Sequence, residues 1–311
     1  MEHIKRLLIN LNIYLIAVLL AISHSLLSSS SFLAPPAGPG TAEKVIALFP
    51  DKQKSKMAYK EIHNLRLQYL RESDLKKKSE VIAKLEGIAD LLIESSLYSG
   101  QAANEAMISI SLLVDSESEI GMETACRIIT CNKYTCAVLI AKANAANSLW
   151  RAYCSRNNKM VLKKLEGTSH VFSEFLINPR IHFENHTSND RANFAIGKFR
   201  IAAFNVLNIL LREKILIGAQ SLGMIAEKSR DANSIKDAIV MLINEALDKK
   251  NPLAVAELKK RRIQINHRIK EISYEDLENY WIITMGSLDE LTNNKIFHLN
   301  FRPVRDKNSS N

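Results

Sequence analysis

The residues of this chain best suited to chemistry are four cysteines and a small group of histidines. Cys126, Cys131, Cys136 and Cys154 all lie within one short stretch of a 311-residue sequence. An even cysteine count in an exported chain predicts disulfides, and three pairings of four thiols exist. On one unbroken helix, Cys126, Cys131 and Cys136 would face different ways, about 140° apart in turn. The helix must therefore break near Asn132-Lys133, or the partners must come from different helices. The preferred pairing is Cys126 with Cys136 and Cys131 with Cys154. The spacing lacks the short ligand pairs of zinc motifs, so staples are expected rather than a metal cage.

His170, His182 and His186 form the second group. His170 and Glu174 are four residues apart, as are His182 and His186, a spacing that sets two ligands on one helix face. A zinc ion held by these four residues would lower the pKa of a bound water and so hydrolyse an ester or phosphodiester. Pro179 and the polar run from Asn185 to Asp190 put part of this set in a loop, and no His-Glu-x-x-His motif is present. The expectation is surface histidines and no cofactor, with a secreted zinc-dependent hydrolase as the alternative. There is no glycine-rich phosphate loop, no Gly-x-Ser-x-Gly elbow and no nucleophile–base pair by motif.

The third group is cationic. Lys259, Lys260, Arg261, Arg262, His267, Arg268 and Lys270 crowd one predicted helix over 253–272. Val255, Leu258, Ile265, Ile269 and Ile272 would form its buried stripe, leaving Lys259, Lys260, His267 and Lys270 on the opposite face. Arg262 falls inside the stripe, where it needs a buried carboxylate or an interface. A basic amphipathic helix suits an acidic protein, a glycan or an anionic lipid surface. Aromatic residues for stacking on bases are missing there, so no nucleic acid is expected. The formal net charge of +9 points the same way. Asn185-His-Thr and Asn308-Ser-Ser match the glycosylation acceptor pattern.

These residues must be positioned by helices. Pro35, Pro36, Pro39 and Pro50 precede residue 51, and only three prolines follow. A long proline-poor body rich in Ala, Leu, Ile, Lys and Glu reads as helix. Val81, Leu85, Ile88 and Leu92 mark one helical face, and Ile235, Ile239, Leu242 and Ala246 another. The predicted fold is all-α, a multi-helix bundle of about nine to eleven helices around a central apolar helix. The helices fall near 41–49, 51–72, 75–98, 102–115, 119–131, 134–155, 158–177, 190–228, 233–249, 253–272 and 275–291. The stretch from Phe194 to Ile225, apolar on nearly all sides, is the central one and should break near Gly218. Ser234 with Asp237 and Ser273 with Asp276 read as capping boxes; Gly100 and Asn251-Pro252 read as helix stops. No internal repeat is found at the periods of helical solenoids.

The chain opens with Lys5 and Arg6, an uncharged apolar stretch from Leu7 to Leu27, and a small-residue exit. That is the layout of a signal peptide over 1–27, cleaved between 25 and 31; the rival is a retained anchor over 7–27 that would make the chain a membrane-anchored structural component. Either places the body outside the cytosol, or in the periplasm of a bacterium. A flexible Pro/Gly-rich linker over 28–40 leads to a helical body over 41–301 with a weak boundary at 178–190. Residues 295–301 alternate like a short strand or packed tail, and 302–311 read as disordered. The function expected is that of an exported, non-enzymatic binding protein with a basic surface.

Overall fold

Helix propensity and a 3.6-residue apolar period dominate the body, and helices are what forms. The computed structural model describes residues 52–98, 100–179 and 189–293. The leader, the linker, the 41–49 helix, His182, Asn185, His186, the 295–301 segment and Asn308 lie outside the described residues. Thirteen helices occur among those described: α1 (Lys52–Arg71), α2 (Leu75–Gly87), α3 (Ala89–Ser96), α4 (Gln101–Asp115), α5 (Glu119–Thr130), α6 (Cys136–Arg156), α7 (Lys159–Ile177), α8 (Asn189–Arg212), α9 (Leu216–Lys228), α10 (Ala232–Leu247), α11 (Pro252–Lys260), α12 (Arg262–Ile272) and α13 (Glu275–Asn293). The count exceeds expectation because three predicted helices are each divided in two, at Ile88, at Glu213-Lys214-Ile215 and at Arg261.

The helices are stacked in chain order. Among the described residues, the substantial helix–helix contacts join helices no more than three places apart along the chain. Helices α4, α6, α8 and α10 follow one another in one layer, while α3, α5, α7, α9 and α11 follow one another in a second. Each hairpin (α4–α5, α6–α7, α8–α9, α10–α11) therefore buries its apolar face mainly against its neighbours, the organisation of a helical-repeat stack. One continuous apolar core runs through it, from Ile62 on α1 to Leu288 on α13.

The central helix expected around Phe194 to Ile225 is α8, which packs on α6, α7, α9 and α10. Its interface with α6 is the most extensive in the stack. Both helices are rich in buried alanines, Ala141, Ala143, Ala145 and Ala146 on α6 and Ala192, Ala195, Ala202 and Ala203 on α8, which lets backbones approach. Phe199 sets its ring edge-on to Phe175 of α7 at 4.7 Å between centroids. By length and hydropathy α8 is also able to cross a membrane, yet over half of it is buried within the stack. Its cations are placed accordingly: Arg200 pairs with Asp237 of α10 at 2.8 Å.

Several local readings are corrected. The chain breaks at Glu213-Lys214-Ile215, not at Gly218. A Cβ on Gly218 would lie 2.6 Å from the Leu211 backbone nitrogen, so this glycine serves close approach of α9 to the end of α8. The N-cap of α10 is Asp231, which accepts from the Ser234 backbone N–H at 2.9 Å and from its hydroxyl at 2.6 Å. Ser273 ends α12 in a left-handed conformation rather than starting α13. Gly100, at φ 117°, and Asn251 are N-caps of the helices that follow them, not stops.

The hairpins share a turn. Glu117, Asn157, Lys214 and Lys250 are all left-handed, at φ between 49° and 59°. Each directly precedes the N-cap of the second helix in its hairpin: Ser118, Asn158, Ile215 and Asn251. Gly121 and Gly218 each stand three residues after that N-cap, and each faces the residue four before the left-handed position, Leu113 or Leu210. The repeat missing from the sequence is thus present in the backbone.

Candidate binding cleft on the turn edge

Because α6, α8 and α10 lie in one layer and turn in the same way, their C-terminal ends meet along one edge. A cavity of about 430 Å³ opens there, lined by Tyr153 and Cys154 from α6, Ile209 and Arg212 from α8, Glu213 and Lys214 from its turn, Glu245 from α10, and Lys249 and Asn251. Cations at helix C-termini offset the carbonyl end of the helix dipole, which accounts for Arg156, Arg212, Lys249 and Lys250 at these ends.

The floor of the cleft is fixed by neutral and paired groups. Asn251 caps α11 and donates through its amide to the Leu211 carbonyl at 2.7 Å, tying the fourth turn to the third. Its carbonyl oxygen accepts from the Leu253 N–H at 3.1 Å. Glu245 is buried, with the Arg212 guanidinium 3.9 Å away. Burial, then the Glu213 carboxylate beside it, pushes the Tyr153 phenol up to about 12. Desolvation also raises the Cys154 thiol, against a lowering by Arg212. Both shifts disfavour the ionised forms, thiolate and phenolate. Lys214 and Lys249 are exposed and have no ion-pair partner among the described residues. The cleft thus carries the positive charge of Lys214 and Lys249 outside any ion pair among the described residues.

The cysteines do not form the expected pairs: no disulfide joins any of the four. Cys136 and Cys154 stand at opposite ends of α6, about 27 Å apart at the helical rise. Cys131 caps α5, and its carbonyl accepts from Lys142 Nζ on the first turns of α6. Cys154 is therefore out of reach of Cys131, since a disulfide holds its Cα atoms within about 7 Å. Cys126 is buried, and burial followed by the nearby Glu123 pushes its thiol up to about 11.

His170 and Glu174 lie on the exposed face of α7. Among the described residues, no group of three or more histidines, cysteines, aspartates or glutamates is placed to hold a metal. The basic segment is broken at Arg261, so Lys259 and Lys260 belong to α11 while His267 and Lys270 belong to α12. Leu258, Ile265 and Ile269 are buried as the periodicity predicts. Arg262 instead pairs at the surface with Asp289 at 3.0 Å. The half-buried cation is its neighbour Arg261, held by Glu257 and Glu227. His267 pairs with Glu271 at 3.1 Å.

Apart from Cys154, expected as a disulfide partner, the cleft residues were not singled out by motif. Their one signal is the likeness of two turn sequences, Leu113-Val114-Asp115-Ser116-Glu117-Ser118-Glu119-Ile120-Gly121 and Leu210-Leu211-Arg212-Glu213-Lys214-Ile215-Leu216-Ile217-Gly218. No protein-family model matches the chain, and no curated protein matches it significantly.

Proposed function

We propose that this chain is a non-enzymatic binding protein, acting outside the cytosol, that engages an acidic protein partner on the turn edge of its helical stack. The observation that carries this reading is the alignment of three helix ends around one cleft with Lys214 and Lys249 uncommitted. An anionic membrane is the weaker ligand, because the basic segment that would lie on it is split at Arg261 and part of its charge is spent on Asp289, Glu257 and Glu227.

Isothermal titration of the full-length protein with polyglutamate tests the reading. Binding that weakens steeply as salt rises is expected, since exposed charges are screened within about 10 Å at 0.1 M salt. Absence of binding at low salt contradicts it. Zinc bound in stoichiometric amount by protein purified without chelators would favour the hydrolase alternative instead.

A further inference from the structure

We infer that the turn edge recognises an extended acidic segment lying across the hairpins, with one carboxylate for each of the third and fourth turns and therefore a spacing of three residues between them. This rests on the binding function proposed above and adds the form of the ligand.

The spacing comes from the stack itself. Packed helices lie about 8–10 Å apart, so equivalent positions on successive turns repeat at that interval. An extended polyproline-II segment rises about 3.1 Å per residue with three residues per turn, so one of its faces recurs about every 9 Å. The two periods agree. The cations that meet such a segment are Arg212 and Lys214 on the third turn and Lys249, with Lys250 beside it, on the fourth. The first turn has the opposite sign, with Asp115, Glu117 and Glu119, and Glu117 takes up Arg156 of the second turn at 3.4 Å. The acidic segment therefore crosses the second turn beside Tyr153 and Cys154 and sets its carboxylates on the third and fourth turns.

A second row on the same edge separates a peptide from a polyphosphate. Ile120, Met160 and Leu216, at 46%, 43% and 54% exposure, all sit in the first turn of the second helix of their hairpins. Each hairpin from the first to the third thus presents one apolar side chain near its turn. Glu213 and Glu245 also line the cleft and oppose a dense run of phosphates. Apolar contacts beside spaced cations fit a chain that alternates carboxylates with apolar residues.

The test is fluorescence anisotropy with a labelled peptide repeating Glu-Leu-Ser, using the full-length protein at low salt. The control peptide has the same composition with its glutamates adjacent. The repeating peptide should bind more tightly, and the Lys214→Glu/Lys249→Glu double variant should weaken it about tenfold or more. Leu216→Ser should weaken it as well, while Lys260→Glu/Lys270→Glu, at the end of α11 and on α12, should leave it within about twofold. All substituted positions are exposed, and circular dichroism on each variant confirms the fold. Equal binding of the repeating peptide to wild type and the Lys214/Lys249 variant overturns the site but leaves an acid-binding protein. Equal binding of the two peptides overturns the spacing. Binding to phosphatidylserine vesicles or single-stranded DNA with no binding to either peptide overturns the ligand class and the proposed function together.

Discussion

Lys142 is wholly buried, a rare position for an ammonium. It is held by the Cys131 carbonyl at the C-terminal end of α5 and by the face of Tyr134, whose ring centre is 4.4 Å from Nζ. Both interactions favour the charged form, but desolvation prevails and lowers its pKa from 10.5 to about 8. Below pH 8 the amine is charged both folded and unfolded. Between about 8 and 10.5 the folded protein releases the proton while the unfolded chain keeps it, so stability rises with pH across that window. The stability of wild type minus that of Lys142→Met should therefore grow from pH 8 to pH 10.5, by up to about 1.4 kcal/mol per unit. Denaturant titrations of both proteins at several pH values give this difference; a flat difference would mean that the amine is not desolvated. The left-handed residues make a second prediction. Lys250 adopts φ 49° with a side chain that strains that conformation. Lys250→Gly should raise stability by up to about 1 kcal/mol, read as a higher thermal midpoint.

At the scale of elements, the glycines divide by what surrounds them. A Cβ on Gly218 meets backbone atoms of Leu210 and Leu211 at 2.6–2.8 Å, whereas one on Gly197, inside α8, meets nothing within 4 Å. Gly218→Ala should cost about 1–3 kcal/mol by forcing α9 off the end of α8. Gly197→Ala should gain up to about 1 kcal/mol through helix propensity. Chemical denaturation of the two variants checks both signs. Helix positions were legible in the sequence because the apolar period is strong: Ile235, Ile239, Leu242 and Ala246 are all buried as that period requires. The break at Arg261 was not, since that residue is neither glycine nor proline and the apolar period continues across it; the break after α8 was expected but set a few residues late, at Gly218. The capping sites were misread by a few residues for a similar reason: Ser234 is capped by Asp231 rather than capping. Pairing of the cysteines required the direction of α6, which only the folded chain supplies.

For the whole molecule, the consequence of sequential packing is that each hairpin depends on its neighbours and on little else. Stability should then be highest where neighbours lie on both sides. Native-state hydrogen exchange should show the slowest amides in α6 to α9, with protection falling toward α1–α2 and α12–α13. Uniform protection throughout would mean a single cooperative bundle. The repeat escaped sequence reading because its hallmark positions hold Glu117, Asn157, Lys214 and Lys250, none of them the glycine that usually marks a left-handed turn, and because the hairpins differ in length. The cleft escaped for a related reason: its residues come from three helix ends that are far apart in the chain and adjacent only in the stack. The most direct test of the central claim is hydrogen exchange of the full-length protein with and without the repeating acidic peptide. The account predicts added protection at the second, third and fourth turns, around Asn157, Lys214 and Lys250, and none around Glu117. Protection confined to α12, or none anywhere, would contradict it.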